Sequence, residues 1–169
     1  MELAPGEGVC EVARRGAGSA VVRLAARSPL RLLTPRNHGG AAWVVTTSYG
    51  GGLVDGDALR IALRVGPGAA AYLATQSSTK VYPGAASQTI VADVGDGGLL
   101  VSLPDPVVCF AGARYRQDAT IRLGAGAGLV WLDGLTAGRA ARGERWRFAG
   151  YRARTRIERG GDTFALDGL

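Results

Sequence analysis

Apolar and polar residues alternate along several short segments of this chain, which is typical of β-strands. In 59–65, apolar residues occupy every second position and alternate with residues that include Arg60 and Arg64. A period of two over this length predicts a half-buried strand. Shorter apolar runs predict strands at 20–24, 30–33 and 43–46, and aromatic and cationic residues alternate in a further strand predicted at 144–148. The Asp55-Gly56 pair between apolar runs indicates a β-hairpin turn.

A repeat of 29 residues runs through the middle of the chain. The sequences VGPG, VGDG and LGAG begin at Val65, Val94 and Leu123, and each leads into a second apolar strand. A weaker copy one period earlier places Trp43 in phase with Tyr72. Turns of this type need a positive φ, which glycine adopts at low cost. The repeat predicts a mainly β fold of stacked strand pairs, either a β-solenoid-like or a coiled sandwich arrangement, with at most one or two short helices.

Polar segments recur at the same phase of this repeat, after the second strand of each unit. They begin at Thr46, Thr75, Pro104 and Asp133. If the units stack, the four segments lie along one edge of the molecule. We call them together the polar edge.

The second of these segments, 75–83, has the sequence TQSSTKVYP and is unusually rich in polar groups. It contains Lys80, the only lysine beside nineteen arginines, and all six residues from Thr75 to Lys80 have side chains that can donate hydrogen bonds. A plain surface loop usually has more glycine and aspartate. The segment is therefore either a polar strand edge kept for packing or a functional surface.

Length and composition indicate one globular domain spanning 1–169. The chain has 169 residues, 47% hydrophobic and 20% charged, which is enough for one core and argues against disorder. Residues 1–18 are rich in glycine and alanine and are expected to be loosely ordered. The N-terminus has acidic residues where a signal peptide has a basic start, and no apolar run reaches the ~20 residues of a membrane helix. We expect a cytoplasmic protein without a membrane partner.

Few residues offer catalytic or metal-binding chemistry. Cys10 and Cys109 lie far apart, and His38 is the only histidine, so neither a disulfide framework nor a zinc motif is indicated. Four carboxylates fall on the polar edge, and they either line a wet path for a divalent ion or serve as turn acids: Asp55, Asp57, Asp105 and Glu144. An alternative hypothesis is an enzyme that uses Asp55, Asp57 or Asp105 as acid and base.

Arginines at 145–156 form a second candidate surface. The net charge of +6 and the interleaved aromatic residues suggest, as another alternative, a basic β-module that binds nucleic acid. Alternation along a strand points the aromatic residues inward and the arginines outward, which removes the stacking platform. A solvated or partner-facing arginine surface, or a compositional bias towards arginine, fits the pattern better.

Four motifs, in this order and spacing, resemble the urease accessory protein UreD family, also called UreH. The resemblance extends from Ser28 to the last residue and rests on the sequences GGLVDGD (51–57), TQSSTKVYP (75–83), LPDPVVCFAGARYRQ (103–117) and GRAARGERWRF (138–148). It implies a largely β fold. Family members normally continue well beyond this chain's last residue, so the C-terminal part of the family fold is expected to be missing.

The resemblance also implies a function without enzymatic activity. Members act as scaffolds that bind urease apoprotein and UreF, and UreG through UreF, during nickel delivery to urease. It implies no stably bound cofactor, nickel in transit and no nucleic-acid partner. The motifs carry over the following positions as candidates for partner binding or nickel transit: Asp57, Gln76, Thr79, Lys80, Tyr82, Asp105, Gln117, Arg139 and Glu144.

Overall fold

The structure is a computed structural model that describes residues 2–36 and 39–169, so His38 lies outside the described residues. The described residues form fourteen strands and two three-residue 3-10 helices, Tyr49–Gly51 and Ala140–Arg142. In chain order the strands are β1 (Glu7–Arg15), β2 (Gly18–Ala26), β3 (Leu30–Leu33), β4 (Ala42–Ser48), β5 (Ala58–Val65), β6 (Ala70–Thr75), β7 (Lys80–Val81), β8 (Gly84–Val94), β9 (Leu99–Ser102), β10 (Val108–Cys109), β11 (Ala113–Leu123), β12 (Gly128–Trp131), β13 (Gly150–Arg159) and β14 (Asp162–Gly168). The predicted mainly β fold class is confirmed.

Two sheets form the walls of the molecule, and the core lies between them. The large sheet has the order β14-β13-β11-β8-β5-β1-β2, and the small sheet has the order β12-β9-β6-β4-β3. Strands β7 and β10 form a separate two-stranded sheet at the polar edge. The alternation predicted for 59–65 is confirmed, because every second residue of β5 is buried against this core.

The 29-residue repeat sets the register of the parallel strands. Ala58 pairs with Ser87 between β5 and β8, and Gly84 pairs with Ala113 between β8 and β11. In the small sheet, Ala70 of β6 pairs with Leu99 of β9 in the same way. Each coil thus contributes one strand to the large sheet and one to the small sheet, as the repeat predicts.

Glycine turns connect the two sheets at the end opposite the polar edge. Gly68, Gly97 and Gly126 have φ values of 62°, 62° and 63°, which confirms the positive φ predicted for these turns. The turns also stack tightly, since a Cβ atom at Gly124 would lie 2.7 Å from the backbone nitrogen of Asp96. Stacked turns of identical conformation explain why the glycines recur in phase.

Three expectations from the sequence are wrong. Strand β1 is ordered within the region expected to be loose, because Cys10 and Val12 alternate with outward residues and are buried. Asp55-Gly56 does not close a hairpin, since β4 and β5 belong to different sheets and the chain crosses between layers there. The strand predicted at 144–148 is a loop, and the φ of 58° at Trp146 is incompatible with an extended strand.

Among the described residues, no helix has the length and apolar character needed to cross a membrane. The outer face of the small sheet is apolar, with Trp43, Tyr72, Val101 and Val130 aligned in one row across four strands. The outer face of the large sheet is instead rich in charged residues, including the arginines of β11 and β13.

Candidate functional site

The four polar segments lie side by side along one edge, as the repeat predicts. Each adjacent pair shares a backbone hydrogen bond: Tyr82 donates to Leu53 (2.8 Å), Phe110 to Val81 (2.9 Å) and Thr136 to Val107 (2.9 Å). The edge is therefore a continuous surface built from all coils. It closes the space between the large and the small sheet on this side.

Behind the polar edge, two small cavities lie between the sheets. Their volumes are about 40 Å³ and 30 Å³, and about 10–15 Å³ is enough to admit a water molecule. Both are lined by Thr46, Thr79 and Gln88, so they adjoin each other. The first reaches Lys80 at the surface, and the second extends across the coils to the half-buried Asp133. We call the two together the edge cavity.

Asp133 is the centre of a polar network at the end of the edge cavity that lies in the last coil. Its Oδ1 accepts a hydrogen bond from Gln117 Nε2 at 2.7 Å, and its Oδ2 accepts bonds from Trp131 Nε1 at 2.9 Å and Thr155 Oγ1 at 3.0 Å. Gln117 and Thr155 are only 6% and 4% exposed. The half-buried carboxylate of Asp133 thus has three hydrogen-bond donors, and the network connects the last coil to β11 and β13.

Tyr115 extends this network into the core. Its hydroxyl group donates to Gln117 Oε1 at 3.4 Å, and burial raises the pKa of the phenol well above its ordinary value. Tyr115 is therefore a hydrogen-bond donor at physiological pH. The side chain of Gln117 is thus held at both ends, by Tyr115 and by Asp133.

A second cluster brings three of the sequence-predicted residues together at the surface. Arg139 and Glu144 form a two-point ion pair, in which Arg139 Nε lies 2.8 Å from Glu144 Oε2. The Arg139 guanidinium lies over the ring of Phe110, 3.9 Å from its centroid. Tyr82 packs edge-on against the same ring, and the two ring centroids are 4.9 Å apart. The hydrogen bond from Arg139, and then that from the Ala111 amide, lower the pKa of Glu144.

The remaining predicted residues are dispersed along the polar edge. Thr79 and Asp105 line the edge cavity, and Lys80 stands at its surface end. Gln76 is exposed, and its backbone N–H donates a hydrogen bond to the backbone oxygen of Thr46 at 3.0 Å. Asp57 lies apart from them and accepts a hydrogen bond from the Val54 amide at 2.9 Å, so it serves as a turn acid.

The thiols of Cys10 and Cys109 are unreactive at neutral pH. Burial, with a smaller effect from Glu11, raises the pKa of Cys10 to about 11, and burial raises the pKa of Cys109 to about 11. Both groups are therefore neutral thiols at pH 7 and poor nucleophiles or ligands. In residues 2–36 and 39–169, no group of three His, Cys, Asp or Glu side chains is placed to hold a metal ion.

Of the residues in this polar network and the cavity beside it, the sequence predicts Gln117 as a site residue but not Asp133, Thr155 or Gln88. In the sequence, Asp133 marks only the start of a polar segment. One signal was available: Gln88 and Gln117 are 29 residues apart, and both occupy the inward position that Leu59 fills one coil earlier. A polar residue that recurs at an inward phase of a repeat indicates a polar interior.

The fold and the site define a class of protein: a coiled, parallel β protein with a polar edge and a small polar cavity behind it. The family model described as UreD urease accessory protein matches residues 5–169. The chain is 57% identical over 156 residues to the urease accessory protein UreD of Sorangium cellulosum, covering 90% of this chain and 50% of that protein.

Two other relatives agree. The UreD protein of Anaeromyxobacter is 48% identical over 170 residues, with 99% of this chain and 57% of that protein covered. Urease accessory protein D of Arabidopsis thaliana is 38% identical over 159 residues, with 89% and 53% covered. The chain belongs to the UreD urease accessory protein family, which confirms the resemblance found in the motifs. It spans about half the length of these curated relatives.

Proposed function

We propose that this protein is a non-catalytic urease maturation factor of the cytoplasm. It binds urease apoprotein and UreF, contacts UreG through UreF, and assists nickel insertion into urease. Membership of the UreD family supports the maturation role. The partners are inferred from the family resemblance of the four motifs.

The edge cavity supports nickel transit as the mode of assistance. Its lining offers hydroxyl and amide oxygens from Thr46, Thr79, Gln88 and Ser102, and a carboxylate from Asp133. Neutral oxygen donors bind a divalent nickel ion more weakly than imidazole or thiolate ligands do. Weak, successive contacts suit a cargo that must be released, and nickel is accordingly the substrate of the proposed path.

The arrangement of the surface supports partner binding at the polar edge. Tyr82, Arg139 and Glu144 are held in a fixed geometry around Phe110, at the surface of the polar edge. Lys80 stands beside the opening of the edge cavity. A docked partner would thus cover the surface end of the proposed path.

A substitution at Gln88 tests the path. Gln88→Leu replaces the amide shared by both cavities with the side chain that already occupies the equivalent position at Leu59. We expect a several-fold lower nickel content in urease co-expressed with UreF, UreG and this variant, measured by mass spectrometry of the purified enzyme. Thr89→Leu, on the exposed outer face of the same strand, should leave the nickel content unchanged.

The experiment separates the path from the maturation role. Normal nickel loading with Gln88→Leu would overturn transit through the edge cavity. Failure of the unaltered chain to co-purify with urease apoprotein or UreF would overturn the scaffold role itself.

A further inference from the structure

The outer face of the large sheet has two halves with different charge balance. Towards the glycine turns, Arg122 bonds both Asp93 and Glu158 at 3.2 Å, and Arg64 lies 3.8 Å from Glu11. Opposite charges on adjacent strands neutralise one another there. Near the start of β11 and β13, two of the three arginines, Arg114 and Arg152, lack such a partner among the described residues.

In the half of the outer face near the start of β11 and β13, arginines of the two adjacent strands lie next to each other. Arg116 of β11 is directly opposite Arg152 of β13, and Arg114 lies two residues earlier on the same face. Arg116 is bound to Asp118 at 2.6 Å, whereas Arg114 and Arg152 form no ion pair with any described residue. Like charges on neighbouring strands, about 4.8 Å apart, repel each other. The repulsion is relieved when an anion lies between them.

A groove beside these arginines provides the room for such an anion. Small residues line the rest of the groove: Ala58 of β5, Ala85 and Ser87 of β8, and Gly150 at the start of β13. Its volume is about 420 Å³, within the range of about 300–1,000 Å³ usual for ligand sites. The side chains of Arg114, Arg116 and Arg152 also line the groove, which is therefore cationic.

We infer that this groove binds an acidic, extended peptide segment of a protein partner. Guanidinium groups pair carboxylates through two parallel hydrogen bonds. Arg114 and Arg116 are two residues apart on one strand, a distance of about 6.7 Å, which equals the spacing of alternate side chains in an extended peptide. The segment therefore has Asp or Glu at every second position over β11 and β13.

The groove favours a peptide over a nucleic acid. Non-specific binding of single strands relies on exposed aromatic side chains that stack on bases. The aromatic residues of the groove are Tyr115, which is 3% exposed, and Tyr151, which is half-buried and packs against Tyr115. Asp57 lies at the β5 side of the groove, so the acidic residues of the segment lie on the opposite side, above the arginines.

This inference goes beyond the maturation role and rests on a different face from the edge cavity. Its test uses a fluorescein-labelled peptide of seven residues with aspartate at positions two, four and six, titrated with the whole chain and followed by anisotropy. A peptide with asparagine at these positions is the reference. We expect saturable binding of the aspartate peptide and at least tenfold weaker binding of the asparagine peptide, since the charge-assisted contacts are lost.

Two double variants with the same loss of charge locate the site. Arg114→Gln with Arg152→Gln should weaken binding about tenfold, and Arg60→Gln with Arg64→Gln, on the same face outside the groove, should change it less than about twofold. Ser87→Glu places a carboxylate opposite Arg116 and should abolish binding in a folded chain. Circular dichroism confirms that each variant is folded.

Three results would overturn the inference. The first is no saturable binding of the aspartate peptide by the unaltered chain. The second is equal weakening in both double variants, which would indicate general attraction to a basic protein. The third is tighter binding of a single-stranded oligonucleotide that also depends on Arg114 and Arg152.

Discussion

A single carboxylate, Asp133, connects the last coil to the interior of the molecule. Its three donors come from β11, from the end of β12 and from β13. Removing it leaves the buried amide of Gln117 and the buried hydroxyl of Thr155 without their acceptor. A buried donor left without a partner costs about 1–3 kcal/mol.

Asp133→Ala should therefore lower the free energy of unfolding by about 2–4 kcal/mol, measured by urea denaturation. Asp133→Asn keeps the shape but turns one acceptor into a donor, and should cost about half as much. Asp105→Ala, on the exposed side of the same cavity, should stay within about 0.5 kcal/mol of the unaltered protein. Equal stability of Asp133→Ala and Asp105→Ala would contradict the structural role of the network.

The stacked turns offer a prediction at the level of the β-element. Gly126 needs glycine for its φ of 63° and has nothing within 4 Å of an added Cβ, whereas Gly124 needs glycine for space beside Asp96. Gly126→Ala should cost about 1 kcal/mol, and Gly126→Asn less, because asparagine tolerates the left-handed conformation. At Gly124 we expect the asparagine variant to be less stable than the alanine variant, because the larger side chain clashes more with Asp96.

Thermal unfolding of the four variants measures this difference. If Gly124→Asn is as stable as Gly124→Ala, the close approach between adjacent turns is not the constraint. If Gly126→Asn is less stable than Gly126→Ala, the φ requirement is not the constraint at that position.

The sequence predicted the stacking of the coils better than the local connections or the polar contacts of individual residues. The 29-residue phase correctly predicted that the coils stack, which the register of β5, β8 and β11 shows, and that the polar segments lie on one edge. The Asp55-Gly56 turn misled, because a local turn does not specify which sheet receives the next strand. Asp133 could not be recognised, because an aspartate before a glycine usually marks an exposed turn and its donors come from distant parts of the chain.

At the scale of the whole molecule, the coils form a layered array in which each strand depends on its neighbours. Strands β8 and β11 are paired on both sides within the large sheet, while β14 and β12 are each paired on one side only. Local opening requires fewer broken contacts at such edges. Stability should therefore decrease from the centre of the array to its margins.

Hydrogen–deuterium exchange followed by mass spectrometry tests this gradient. Amides of 84–94 and 113–123 should exchange slowest, and those of 128–131 and 162–168 should exchange faster by at least tenfold. Uniform protection across all strands would mean that the chain opens only as a single cooperative unit.

The last complete coil departs from the common length in an informative place. Arg114 pairs with Gly150, a separation of 36 residues instead of 29, and the extra residues lie in the loop that carries Arg139 and Glu144. The length of this loop therefore does not determine the strand register. The extra residues lie at the polar edge, and the pairing of β11 and β13 is continuous. Insertions and deletions in related chains should collect at this edge, where a change in length alters what the surface can reach while the walls remain the same.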